Sequence, residues 1–337
     1  MLERQKKFQL RLVNAQRYHG VDGRKTDQID ASWLAELLQC GLLKGSFVPP
    51  QWQRELRDLT RLRVSLLQDQ NRIQNRIEKV LEDANIKLGS VAGDTLGVSG
   101  RKILNAIVKG DKDAGWMADY AQTRLRARRK ELEEALQGFV TDHHRKLPAM
   151  MLREFDSLER DIVALEADIR KRLEPHQDVV ARLAEIPGFG EVSVWTVIAE
   201  LGLDMKVFGS PERAASWCGL GPGNRKSAGK RGHGRTRKGN RWIRRVLTQS
   251  AIAASKKKDT YLKSFDWRIA SKRGPKKARI ATAHKQIKIA FLIIRDGVRY
   301  RDLGPDHFDR RNAEKTKRYL VKRLEGPGVK VTLEPAA

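Results

Sequence analysis

Ser227 is the only hydroxyl-bearing residue between Trp217 and Thr236, and it stands among Arg225, Lys226, Lys230 and Arg231. A serine that attacks a phosphodiester must lose its proton, and it needs cations around the crowded phosphorus of the transition state. The basic neighbours suit the second requirement. For the first, His233 is the one base nearby in sequence, unless a carboxylate arrives from elsewhere. A serine in a basic loop also serves as a plain phosphate contact, and residue chemistry alone leaves both readings open. Asp27 and Asp30 form a second constellation, three apart in the first turn of an expected helix, with both carboxylates on one side. Such a pair can hold a divalent metal such as Mg²⁺ through oxygen, with waters completing the shell. Two metals held by four acidic groups would activate a nucleophile and steady a leaving oxygen. The same two residues equally suit helix capping and the positive end of the helix dipole.

The stretch that must position the serine runs from Leu183 to Leu247. Leu183, Ala184 and Ile186 lead into Pro187, Gly188, Phe189 and Gly190, after which Val194, Val197, Ile198 and Leu201 recur at helical spacing. Gly188 and Gly190 permit a tight turn that exposes backbone N–H groups at the start of the second helix, where a phosphate oxygen can be held. This is the helix-hairpin-helix pattern, a grip on the DNA backbone that reads no sequence; an ordinary corner around a buried Phe189 is the alternative. Beyond it, no Asp or Glu occurs between Arg213 and Lys258, while Lys and Arg number 14 in that window. Arg235, Arg237, Lys238 and Arg241 extend the basic set, and glycines at 219, 221, 223, 229, 232, 234 and 239 are expected to keep the segment irregular.

Composition agrees with that partner. A net charge of +27 and a pI near 10.3 over 337 residues point to a polyanion, and nucleic acid is the economical choice. The absence of an 18-residue apolar run argues against a membrane span. Cys40 and Cys218 lie far apart with no zinc-site spacing and no secretory leader, which fits a reduced, cytoplasmic setting.

Taken in order, Phe8, Leu10, Leu12 and Val13 read as the end of a buried strand or a short apolar edge, and Ile29, Trp33, Leu34, Leu37 and Leu38 as one face of a helix ending near Gly41. Pro49 and Pro50 mark a linker. Leu56, Leu59, Leu62, Leu66, Ile73, Ile77 and Leu81 then describe a long amphipathic helix. A glycine-containing connector from Gly89 to Gly115 follows. A second long helix is expected from Asp119 to Pro175 with a break at Pro148, and its Phe155, Leu158, Ile162, Leu165 and Ile169 form a coiled-coil seam. The pair is expected to make an antiparallel hairpin or a dimerising arm. Arg124, Arg126, Arg128 and Arg129 are read as a solvated face with phosphate contact as the alternative. Later helices carry Ile243, Val246, Leu247 and Ile252, then Ile280, Ile287, Ala290, Phe291 and Ile294; His284, Tyr300 and Tyr319 are weak catalytic candidates. A charged helix and a tail end the chain, and no internal repeat is evident.

KTDQIDA at 25 to 31, the long-helix middle, IPGFG at 186 to 190, and CGLGPGNRKSAG with KGN at 238 to 240 together resemble the insertion-sequence transposases of the IS-one-ten type, also called DEDD transposases. The resemblance runs in order from about Leu12 to Gly304. It implies a mainly α chain: residues 1–50 as the carboxy-terminal remnant of a RuvC-like, RNase H-like α/β domain, 51–175 as a coiled-coil spacer, 176–308 as a transposase domain with the helix-hairpin-helix at 183–204 and the serine loop at 219–240, and 309–337 as a charged tail. It further implies Ser227 as the nucleophile, Asp27 and Asp30 as catalytic ligands of Mg²⁺, DNA as substrate, an element-encoded guide RNA, and a dimer or tetramer. The family's other two acidic ligands precede the motif at Lys25, so an amino-terminally shortened transposase is expected. Alternatives are a catalytically dead remnant that only binds DNA or RNA, and a structural RNA-binding protein akin to a ribosomal component.

Overall fold

The computed structural model describes residues 12–13, 26–43, 45, 47–111, 113–223, 226–227, 230–231, 236, 238–311, 313–326, 328 and 330–332, with backbone alone at 226–227, 230–231 and 314–316. In chain order its elements are α1 (Asp27–Gln39), α2 (Gln51–Asp83), α3 (Leu88–Val91), α4 (Val98–Lys109), α5 (Ala114–Ala118), α6 (Arg129–Ala135), α7 (Asp142–Leu173), α8 (Gln177–Ala184), α9 (Glu191–Leu201), α10 (Pro211–Trp217), the strands β1 (Lys226–Ser227) and β2 (Lys230–Arg231), α11 (Arg241–Lys256), α12 (Tyr261–Arg273), α13 (Pro275–Asp296), α14 (His307–Arg311) and α15 (Ala313–Glu325). The fold is mainly α, as expected. It divides into two compact units, residues 56–181 and residues 1–55 with 182–337, the division falling within α2 and α8.

In the unit of residues 56–181, two polar contacts join the long helices α2 and α7. Arg63 of α2 donates to Glu166 of α7 at 2.7 Å, and Asp83 of α2 meets His144 of α7 at 3.0 Å; later residues of one face earlier residues of the other, so the pair is antiparallel. Ile162 and Ile169 of α7 are buried, whereas Leu62, expected on the apolar stripe of α2, is 48% exposed. The expected break at Pro148 does not occur. A proline costs the helix one N–H and crowds the carbonyl four residues back, but Pro148 lies near the start of α7, whose first turn is fixed by the capping box of Thr141 and His144. The interruption lies earlier, where a Cβ on Gly138 would fall 2.4 Å from the Ala84 carbonyl oxygen, and Phe139 N–H bonds that same oxygen at 2.8 Å.

The expected connector is also more than a linker. Residues between the long helices form α3 to α6 around a core of Ile103, Leu104 and Ile107 of α4, Leu132 of α6 and Leu152 of α7, closed by Ile73, Ile77 and Leu81 of α2. Each such fully buried aliphatic side chain contributes about 1.5–3 kcal/mol relative to exposure. Arg128 and Arg129 are ion-paired here, to Glu131 and to Asp119 and Glu133.

In the unit of residues 1–55 with 182–337, α13 packs against α10, α11 and α12, and α11 against α9. α9 is buried on every side from Val194 to Leu201, which marks it as a central helix rather than a surface one. Asp266 of α12 is buried and accepts from Arg279 and, at 3.1 Å, from Thr282 of α13, so its charge is paired where an unpaired one would cost several kcal/mol. The segment after α13 is tied over α12, with Asp302 accepting from Tyr261 N–H at 2.9 Å and from Tyr300 hydroxyl at 2.8 Å. Of the expected face of α1 only Leu37 is buried; Ile29 and Leu38 are 55% and 50% exposed. Segment 26–50 carries no strand among its described residues. The strand expected at Phe8 to Val13 lies outside the described residues except for Leu12 and Val13, which are not in a strand.

Candidate nucleic-acid interface

The basic serine loop rises from a root built of backbone and one buried carboxylate. α10 ends with Gly219 at φ +72, and its last carbonyls are closed by Gly219 N–H to Ser216 O and Leu220 N–H to Ala215 O, both at 3.0 Å, the arrangement that a left-handed glycine permits. The returning strand of the loop passes so close that a Cβ on Gly239 would lie 2.3 Å from Gly219 N and 2.6 Å from the Trp217 carbonyl oxygen. Asn240 N–H then bonds Trp217 O at 3.1 Å, and Arg244 of α11 donates to Gly219 O at 2.9 Å.

Asn240 is also the cap of α11. Its side-chain oxygen accepts from Trp242 and Ile243 N–H, which fixes the amide the other way round and leaves its NH₂ to donate to the fully buried carboxylate of Glu200 at 2.5 Å. Gln53, buried in the first turn of α2, donates to the carbonyls of Ala199 and Glu200 at the end of α9. Buried polar groups of this kind stabilise only when paired. Together they fix the loop's two ends to α9, α10 and α11.

From that root the chain forms a hairpin. Pro222 bridges Thr236, and β1 pairs antiparallel with β2, placing Ser227 opposite Lys230 and Lys226 opposite Arg231. The expectation of an irregular segment is corrected to this extent. Two residues ending in a glycine separate Ser227 from Lys230, which is a hairpin signal. Arg225, Arg235 and Arg237, with His233, lie outside the described residues. Lys238 is exposed at the foot of the hairpin, and Arg241 opens α11 with its guanidinium 4.7 Å from the Trp242 ring centre.

The Pro-Gly-Phe-Gly turn joins α8 to α9. Gly188 adopts φ +88, and a Cβ there would lie 2.1 Å from the Ser250 carbonyl oxygen of α11. Gln286 of α13 donates to Pro187 O at 2.8 Å, and Phe189 is buried. Gly188 therefore packs the turn against the domain. Gly190 is the N-cap of α9, and nothing lies within 4 Å of where its Cβ would be, so the amino end of α9 is open to a close-approaching group.

Asp27 and Asp30 sit in the first turn of α1, both exposed. The cap is Thr26, whose hydroxyl accepts from Ile29 N–H at 3.4 Å. Among the described residues no three His, Cys, Asp or Glu side chains gather as a metal site. Tyr300 is engaged with Asp302, and burial, that bond and the carboxylate charge push its hydroxyl up, away from nucleophilic use. Burial, with the Glu200 charge, likewise pushes the Cys218 thiol up.

Sequence reading missed the buried partners Glu200, Asn240 and Gln53, and a groove of about 930 Å³ beside the hairpin's foot. Leu220, Pro222, Thr236 and Lys238 line one side of the groove, and residues of α12 and α13, including Phe265, Lys276, Lys277 and His284, the other. A signal was present: no Asp or Glu lies between Asp266 and Asp296.

Two family models match the stretches that carry α1 and the basic hairpin. The model of the transposase family IS116/IS110/IS902 matches residues 180–266, and the DEDD transposase model of the IS110 group matches residues 2–86. The chain belongs to the IS110-type transposase family. A relative from Sinorhizobium fredii, y4pF/y4sB, whose name carries the word transposase, is 28% identical over 154 residues, 44% of this chain and 39% of that protein. The match thus spans well under half of that relative's length. No helix among the described residues is long and apolar enough to cross a membrane.

Proposed function

We propose that the chain recombines DNA for an insertion sequence, with Ser227 as nucleophile. The observation that carries this reading is the fixed root: the only hydroxyl between Trp217 and Thr236, within a carboxylate-free basic segment, is borne on a hairpin whose ends are clamped by Gly219 against Gly239 and by the Glu200–Asn240 pair. Nucleophiles gain rate from being held in reacting geometry. In the proposed step the Ser227 Oγ–phosphorus bond forms and one phosphorus–oxygen bond of the DNA backbone breaks. The hydroxyl proton passes to a base, and the departing deoxyribose oxygen takes up a proton. Attack by a hydroxyl of the second strand reverses the step and frees the serine, so no other reactant is consumed. Lys226, Lys230, Arg231, Lys238 and Arg241, with Arg225, Arg235 and Arg237, neutralise the phosphates, and Gly190 lets a phosphate approach the amino end of α9. Asp27 and Asp30 would hold Mg²⁺, which when bound supplies charge stabilisation at the phosphoryl oxygens. A helix-hairpin-helix at 183–204, an element-encoded guide RNA and an assembly of two or four copies complete the reading. So does a domain division with residues 51–175 as coiled-coil spacer.

Substituting Ser227 by Ala in an exchange-competent assembly is expected to abolish strand exchange and the covalent protein–DNA adduct while DNA binding survives. Exchange at the unaltered rate would remove the serine from the chemistry. A binding-only role is the second reading, favoured by the position of Asp27 and Asp30 in a Thr26-capped first turn, where acidic groups serve the helix itself. Its signature is salt-sensitive binding with no adduct in Mg²⁺.

A further inference from the structure

We propose that the groove between the foot of the serine hairpin and helices α12 and α13 seats an unpaired stretch of DNA strand, its phosphates on the basic rim and its bases on the apolar floor. The inference rests on the reading of the hairpin as a DNA-handling loop and names what the neighbouring surface holds.

The groove joins two kinds of surface that a single strand needs together. Lys238 and Arg244 stand on the hairpin side and Arg273, Lys276 and Lys277 on the other, and among the described residues no carboxylate lines it. Leu220, Phe265, Ile269 and Ile280 supply apolar lining between them. A duplex offers a protein its phosphates and base edges and keeps its base faces stacked away. An apolar floor therefore gains nothing from a duplex, whereas an unpaired base buries its face there. Basic grooves with aromatic platforms are the general means of holding single strands.

Phe265 suits that task because its ring is already fixed. It is stacked at 6.1 Å from Tyr261 and 6.2 Å from Phe308, with Lys285 Nζ 5.7 Å from its centre. The volume of about 930 Å³ lies at the upper end of the roughly 300–1,000 Å³ of ligand clefts, so more than a single base fits. DNA is favoured over RNA on two counts. A ribose 2′-hydroxyl is what distinguishes RNA, and the floor has little polar lining to receive one; among the described residues, Thr236 and His284 are its uncharged polar groups. The groove also begins at Pro222 and Thr236, the pair that closes the foot of the Ser227 hairpin.

The test is equilibrium binding of the full chain to four labelled probes of equal length: oligothymidylate, the same backbone without bases, a DNA duplex, and oligouridylate. Wild type is expected to prefer oligothymidylate to the abasic strand by about tenfold or more, the size of one good base stack. The exposed residues Arg273, Lys276 and Lys277, replaced together by Ala, are expected to weaken oligothymidylate about tenfold and to lower its salt slope by about 2, with a smaller effect on duplex. Phe265→Leu is expected to erase the preference over the abasic strand. Lys256→Ala with Lys257→Ala, exposed lysines outside the groove, is expected to affect every probe alike.

The proposal is overturned if wild type binds the abasic strand equally, if the triple variant loses duplex and single strand in equal measure or loses neither, or if oligouridylate binds more tightly than oligothymidylate. Melting by circular dichroism checks each variant, and the surface triple decides should Phe265→Leu fail to fold. Because no strand exchange is measured, failure here leaves the Ser227→Ala experiment standing, and failure there leaves this one.

Discussion

Gly239→Ala probes the loop root with a single methyl group. The added Cβ would sit 2.3 Å from Gly219 N, 2.5 Å from Gly219 Cα and 2.6 Å from Trp217 O. All three are backbone atoms, so no side chain can swing aside. Ordinary contact begins near 3.4 Å, and the two stems must part by about 1 Å. Overpacking of this kind costs about 1–3 kcal/mol. Parting the stems also stretches the Asn240 N–H bond to Trp217 O, now 3.1 Å, whose loss adds about 1 kcal/mol. The sum, about 2–4 kcal/mol, corresponds to a fall of roughly 5–15 °C in melting temperature for a unit of this size. The assay is a thermal melt followed by far-ultraviolet circular dichroism, with Gly190→Ala as comparison. At Gly190 the Cβ meets nothing within 4 Å, and only the poorer N-cap, worth about 0.5–1 kcal/mol, is lost. Should Gly239→Ala melt within a degree of wild type, the stem contact is not what holds the loop, and the argument from the root to Ser227 loses its foundation.

Two other expectations follow from burial. Cys40 is exposed and Cys218 buried, with the Cys218 thiol pushed up by desolvation and by the Glu200 charge; a thiol reagent should label one cysteine in the native protein and two in denaturant, and rapid native labelling of both would refute the packing. His284 is held below the ordinary histidine range by burial first and then by Lys288 and Lys285, with Glu212 opposing. A depressed histidine disfavours the folded state once the unfolded chain takes up the proton, so stability is lost as pH falls through and below the ordinary histidine range, and is unaffected above it. Melts at pH 7.5 and 5.5 should show a smaller acid loss for His284→Gln than for wild type, and equal losses would count against a half-buried, neutral imidazole.

Much of the helical layout was legible because burial imposes a period. The stripe from Leu56 to Leu81 and the seam from Phe155 to Ile169 gave α2 and α7, and IPGFG with the apolar repeat after it gave α8, its turn and α9. What failed was punctuation. Proline was weighted as a breaker at Pro148, where a nearby cap absorbs its effect, while Gly138, whose backbone must pass the Ala84 carbonyl, was not recognised as the true stop. The head of helices α3 to α6 is hidden because its elements are short and its core is assembled from six separate segments: residues 89–115 read as connector, and α6 as the start of the second long helix. At the candidate site, the basic run and the place of Ser227 within it are legible in the residues, whereas the role of Ser227 as nucleophile is what the family resemblance implies. Glu200 could not, since an acidic residue on an otherwise apolar helix carries no mark that it will be buried against an asparagine 40 positions later. The groove was hidden for the same reason: its two walls come from segments separated in sequence and become one surface only after α12 and α13 pack together.

The backbone clamp of Gly219 and Gly239 has an evolutionary consequence. Since the pairing that closes the loop uses no side chain between residues 221 and 238, the tip behaves as a cassette, and loop-closure entropy changes only slowly with length. Relatives can lengthen, shorten or recharge that cassette while the domain beneath keeps its stability. The two glycines themselves allow no such drift: a side chain at Gly239 would strike the Gly219 backbone, and Gly219 holds a positive φ that L side chains rarely adopt.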